Sequence, residues 1–90
     1  MLDFSTTRKF DKQMNKIDEK IQDVFCKKLE YFLENPKHPS LHTEKLKYDL
    51  HSFRINKNFR VIFKYVAENQ VELLFLAGHD VYDDLKRFIE

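Results

Sequence analysis

Apolar and polar residues alternate on both sides of Asn56-Lys57-Asn58, from Phe53 to Tyr65. Strand side chains repeat every second residue, so the pattern predicts a β-hairpin with strands over Leu50 to Asn56 and Phe59 to Val66. Asparagine suits both edges of the turn, because its short side chain bonds nearby backbone and tolerates a left-handed conformation. One face of the second strand then carries Phe59, Val61, Phe63 and Tyr65, and the other carries Arg60, Ile62 and Lys64. Beyond the polar turn Ala67-Glu68-Asn69-Gln70, Val71 to Ala77 is a nearly continuous apolar run of strand length. A central strand buried on both faces reads this way. Gly78, the only glycine, stands where that strand must stop.

Upstream the period changes. Leu2 and Phe4 alternate around Asp3, which suits a short edge strand over Met1 to Ser5. Ser5, Thr6 and Thr7 are N-cap residues for a helix from about Thr7 to Lys16, with Phe10 and Met14 four apart on one face. Asn15 to Asp18 breaks that helix, and Asp18 caps a second one running to Glu34. Its inner face is Ile21, Val24, Phe25, Lys28, Leu29, Phe32 and Leu33, stepping by three and four. Asn35-Pro36 ends it, since a residue before proline is pushed out of the helical region. Pro36 to Ser40 then reads as a fixed loop and Leu41 to Tyr48 as a basic, partly irregular connector. Asp80 caps a last short helix through Phe88, with Leu85, Phe88 and Ile89 inward. The fold class this predicts is α+β in two layers: an N-terminal strand and a helical hairpin on one face of an antiparallel sheet, and a short C-terminal helix. The opposite sheet face is expected to be uncovered.

Composition narrows this to one small domain with an aromatic core: 90 residues, 42% hydrophobic, nine Phe and no Trp. The single Cys26 cannot form an intramolecular disulfide, and its place beside Phe25 suggests a small core or boundary residue. His38, His42 and His51 lack the paired spacing of a zinc motif, so neither a metal nor a cofactor is expected. No apolar run approaches the roughly 20 residues that span a bilayer, and none resembles a signal peptide, which suggests a cytoplasmic protein with no membrane partner. The net charge of +1 conceals an uneven distribution. Lys37 to Lys64 holds seven cations against two carboxylates, whereas Asp80 to Glu90 holds four carboxylates against two cations.

Arg60 and Lys64 project from the face expected to be open, and Arg54 joins them in one register of the hairpin. His79 and Tyr82 follow the buried strand. Cleavage of RNA by its own 2′-hydroxyl needs a group to take that proton, cations for the phosphate, and a group to protonate the leaving oxygen. Arg60 suits bidentate phosphate contact, His79 titrates near neutrality, and Tyr82 can donate a proton or stack on a base. Each also has a structural reading: Arg60 paired with Glu72 across the sheet, His79 capping backbone, Tyr82 half-buried, Lys45 to Lys47 a solvated loop.

The run Phe53-Arg54-Ile55-Asn56-Lys57-Asn58-Phe59-Arg60-Val61-Ile62-Phe63, then an apolar strand ending Leu76-Ala77-Gly78-His79-Asp80-Val81-Tyr82, resembles the RelE/ParE superfamily of bacterial toxins. Glu34-Asn35-Pro36, His38-Pro39-Ser40-Leu41 and Leu46-Lys47 add to the likeness, which spans nearly the whole chain. The resemblance implies the toxin of a type II toxin–antitoxin pair, with a cognate antitoxin as partner in a hetero-oligomer. RelE-like members act with the ribosome and mRNA as partners, cutting message in the A site without a metal, whereas ParE-like members poison DNA gyrase. On the RelE-like reading Arg60, His79 and Tyr82 are catalytic, and Lys45, Lys47, Arg54, Lys57 and Lys64 contact RNA. His79 with Tyr82 favours the ribonuclease branch; the alternative is a non-hydrolytic gyrase inhibitor or an inactive antitoxin-binding relative. Some relatives carry a glutamate base in the first hairpin strand, where this chain has none; Glu44 lies earlier, in the connector.

Overall fold

The computed structural model describes residues 2–78. The expected C-terminal helix, with His79 and Tyr82, lies outside the described residues. In chain order the elements are β1 (Asp3–Thr6), α1 (Arg8–Lys16), α2 (Glu19–Glu34), a 3-10 turn (Pro39–Leu41), β2 (Glu44–Lys45), β3 (His51–Arg54), β4 (Arg60–Ala67) and β5 (Gln70–Ala77). They build the α+β architecture expected, around a sheet of order β1-β5-β4-β3-β2. β2 to β5 are antiparallel neighbours, and β1 joins as a parallel edge beside β5.

Local chemistry sets the element boundaries. Thr7 caps α1, its Oγ1 accepting from the Phe10 N–H at 3.1 Å. Asp18 caps α2, with Oδ1 accepting from the Lys20 N–H at 2.8 Å. Between the two helices Gln22 Nε2 donates to the carbonyls of Met14 and Ile17, satisfying groups that the end of α1 would leave bare. In the hairpin turn Asn56 Oδ1 accepts from the N–H groups of Asn58 and Phe59 at 2.8 and 2.9 Å, the asparagine chemistry expected there.

The main core lies between the helices and one sheet face. Phe32 of α2 is fully buried, stacked on Phe53 at 4.5 Å and edge-on to Phe63 at 4.8 Å, while Phe10 packs on Phe25 at 5.5 Å. The expectation of an uncovered opposite face is wrong. Leu50, Ile62, Leu74, Phe75 and Ala77 form a second buried cluster there, with Leu46 against it. A register shift is one cause: Phe63 pairs with Leu73 but Ile62 with Phe75, leaving Leu74 as an extra bulged residue. Leu74 and Phe75 thereby both join the second cluster. Cys26 also departs from expectation, being exposed on α2.

β1 ends at Thr6, yet β5 runs on to Ala77, so α1 must satisfy the backbone β1 leaves unpaired. Thr7 does so at Leu73 and Leu74, its N–H donating to one carbonyl and its Oγ1 to the other. Gln13 does so at Leu76, where Nε2 donates to the carbonyl at 3.1 Å and Oε1 accepts from the N–H at 2.7 Å. Gln13→Ala should cost about 2 kcal/mol by stranding both backbone groups. Urea denaturation checks this, and a midpoint equal to wild type would show that water replaces the amide.

Candidate functional site

The register places Arg54 directly opposite Arg60 across β3 and β4. Cross-strand partners share a face, and the neighbours Phe53 and Val61 point into the main core, so both arginines stand on the second face. Like charges facing each other are unfavourable unless a counter-charge is present. Glu44 of β2 provides it, with Oε2 3.4 Å from Arg60 Nη1. Arg60 therefore pairs with Glu44 and not with Glu72, the partner its strand position suggested. Glu72 instead lies 3.8 Å from Lys64.

Glu44 is a site residue that the sequence reading named but set aside as lying in the connector, outside the hairpin strand. Residues 41–48 read as an irregular connector, but Glu44 and Lys45 form a short strand pairing with Ser52 and His51. The available signal was alternation: Glu44 and Leu46 share one parity, and Leu46 packs on the second cluster. Beneath this carboxylate Ser52, register partner of both Glu44 and Ile62, is buried with no hydrogen-bond partner for its Oγ among the described residues. A buried, unanswered hydroxyl is costly, and here it adjoins the two arginines.

The other sequence-predicted cations are dispersed. Lys57 is exposed at the tip of the β3–β4 turn, and Lys64 is four residues along β4 from Arg60, roughly 13 Å at strand rise. Lys47 is exposed in the β2–β3 loop. Lys45 has the opposite parity from Glu44 and adjoins His51 on the helical side of the sheet. There His51 stacks on Phe63 at 5.4 Å and meets Tyr65 edge-on at 5.2 Å. His38 and His42, with Lys37, line a depression of about 410 Å³ together with Lys45 and His51. Among the described residues no group of three or more His, Cys, Asp or Glu side chains is placed to hold a metal ion, and no helix is long and apolar enough to cross a membrane.

Burial first, then the Lys45 charge, lowers the pKa of His51 below 6.5, against a smaller opposing effect of Asp49. Between that lowered value and 6.5 the unfolded chain binds more protons than the folded one, so stability falls as pH drops through this window. Urea midpoints at pH 7.5 and 5.5 should therefore converge when His51 is replaced by Gln. An unchanged pH difference would assign it to other groups.

β5 brings the chain past this pair: Ala77 is the register partner of Arg60, and His79 is two residues further in sequence. His79 and Tyr82 themselves lie outside the described residues.

No family model and no curated protein matches the sequence. Solved structures do match the fold. A YoeB/ParE toxin from Agrobacterium tumefaciens superposes with a TM-score of 0.72 at 14% identity, over 87% of this chain and 99% of that one. The isolated RelE toxin of E. coli gives 0.67 at 16% identity, covering 100% of both chains. A chain of the heterotetrameric YoeB-YefM toxin–antitoxin complex of Staphylococcus aureus gives 0.67 at 20% identity, over 83% of this chain and 93% of that one. The chain has the fold of these toxins, as its motifs implied.

Proposed function

We propose that this chain, built on the RelE/ParE toxin fold, is the toxin of a type II toxin–antitoxin pair and a ribosome-dependent mRNA endonuclease of the cytoplasm. The observation that carries the reading is the Arg54–Arg60 pair with Glu44 on Arg60. Two arginines in register on the same face of adjacent strands offer two cations to a phosphodiester. When a phosphate takes the Arg60 guanidinium, the Glu44 carboxylate is released beside it, suited to act as a base.

In this mechanism Glu44 takes the proton of the 2′-hydroxyl, whose oxygen attacks phosphorus. Arg60 and Arg54 stabilise the charge gathering on the phosphate oxygens. The bond to the 5′-oxygen breaks, and His79 supplies the proton that oxygen needs. The products are a 2′,3′-cyclic phosphate and a 5′-hydroxyl. Tyr82 orients the base next to the cut. Lys47 and Lys57, both exposed, add non-specific attraction to the RNA backbone.

A cognate antitoxin in a hetero-oligomer is the expected protein partner; the similarity to a toxin crystallised with its antitoxin supports it. Expression of the wild-type chain should arrest growth and protein synthesis, and a folded His79→Ala, Tyr82→Ala double variant should not. Undiminished arrest by that variant, together with inhibition of DNA supercoiling by purified gyrase, would replace this reading with that of a non-hydrolytic gyrase inhibitor.

A further inference from the structure

The loop between β2 and β3 is pinned at both ends. The Leu46 N–H donates to the Leu50 carbonyl at 2.7 Å, and the Leu50 N–H to the Lys47 carbonyl at 3.1 Å. Leu50 is buried in the second cluster with Ile62, and Leu46 packs against it, so the loop is fastened over the face that carries Arg60. Between these anchors Tyr48 is 71% exposed, the most exposed large apolar side chain among the described residues.

Two features make this arrangement costly. Tyr48 and Asp49 have φ of 61° and 60°, a left-handed backbone that is rare for a bulky residue. The tyrosine ring also forgoes burial, with no ring or hydrogen-bond partner among the described residues. The other exposed aromatics differ: Tyr65 contacts His51 and Phe63, and Phe4 lies on β1 at the opposite sheet edge. Exposed Lys47 precedes the ring and exposed Asp49 follows it, while Glu44 at the start of the same segment holds Arg60.

We propose that Tyr48 is a stacking platform for a nucleobase of single-stranded RNA whose phosphate lies on Arg54 and Arg60. The inference rests on the RNA-cleaving reading above and adds a positioning residue to it. An exposed aromatic ring on an anchored loop beside a lysine, here Lys47, is what single-strand binding uses, because every base has a face to stack and a cation follows the backbone. The anchored loop sets the ring before RNA arrives, so little ordering entropy is lost on binding.

The chain contains no tryptophan, so Tyr48→Trp introduces a unique fluorophore. On titration with a ten-nucleotide single-stranded RNA the indole emission should be quenched saturably. By anisotropy of the same RNA carrying a dye, Tyr48→Ala should bind roughly 5- to 100-fold more weakly, the range for losing one stacked base, with an unchanged salt slope. Tyr48→Phe should bind like wild type. Wild-type affinity in Tyr48→Ala, or unchanged indole emission while anisotropy reports binding, would overturn the proposal. Weakened binding in Arg60→Ala but not in Tyr48→Ala would do the same while leaving the phosphate seat standing. Absence of RNA binding by the wild-type chain would overturn the stacking platform, while the ribosome-dependent cleavage itself is tested separately on translated message.

Discussion

Arg60→Ala is expected to lower message cleavage by roughly 100- to 1000-fold, the usual scale for removing one preorganised donor from a developing charge. Stability should hardly change, because a partly exposed ion pair contributes about 1 kcal/mol or less. Arg60 is 24% exposed and its partner Glu44 56% exposed, so solvent screens the pair. Removing the guanidinium leaves Glu44 able to turn to water. Arg60→Lys should recover part of the rate, keeping the charge but losing the two-pronged contact with phosphate. The measurements are cleavage rates beside urea midpoints for the three proteins. A large loss of stability in Arg60→Ala, with cleavage falling only in proportion to unfolded protein, would make Arg60 a structural strand residue.

Phe32→Ala should have the largest effect on the fold itself. Its ring is fully buried between Phe53 and Phe63, linking α2 to β3 and β4. Truncating a buried phenylalanine costs about 3–5 kcal/mol, from lost transfer energy and the cavity left behind. A domain of this size has a total stability of about 5–13 kcal/mol, so the variant should be marginal and populate unfolded chain under mild denaturant. Phe32→Leu should retain most of the lost stability. Chemical denaturation of the three proteins tests this, and a shift below about 1 kcal/mol for Phe32→Ala would mean that the helical layer repacks around the gap.

The sequence disclosed elements wherever a local period was long or a cap was chemically specific. The three-and-four stepping from Ile21 to Leu33 and the caps at Thr7 and Asp18 place both helices within a residue or so. The alternation around Asn56 gives the hairpin but leaves its register open; only the structure sets Arg54 against Arg60. What escaped depends on contacts distant in sequence. Glu44 meets Arg60 because a two-residue strand pairs with Ser52, and the parity that Glu44 shares with Leu46 is too short a pattern to mark a strand by itself. Gln13 looks like any polar helix residue until β5 runs beyond β1 and needs its amide. The second apolar cluster depends on one bulged residue, Leu74, inside a run whose apolar continuity hides which face each side chain takes. Tyr48 and Asp49 adopt left-handed backbone without glycine, so turn chemistry gave no warning of the loop that presents Tyr48.

The most direct test of the RNA-cleaving account is primer extension on message recovered from a purified translation system with wild-type protein, Arg60→Ala and Glu44→Gln. The account predicts cuts at A-site codons of translated message with wild type, and strong loss of those cuts in both variants while both remain folded. Soluble, folded wild-type protein that leaves translated message intact would contradict it.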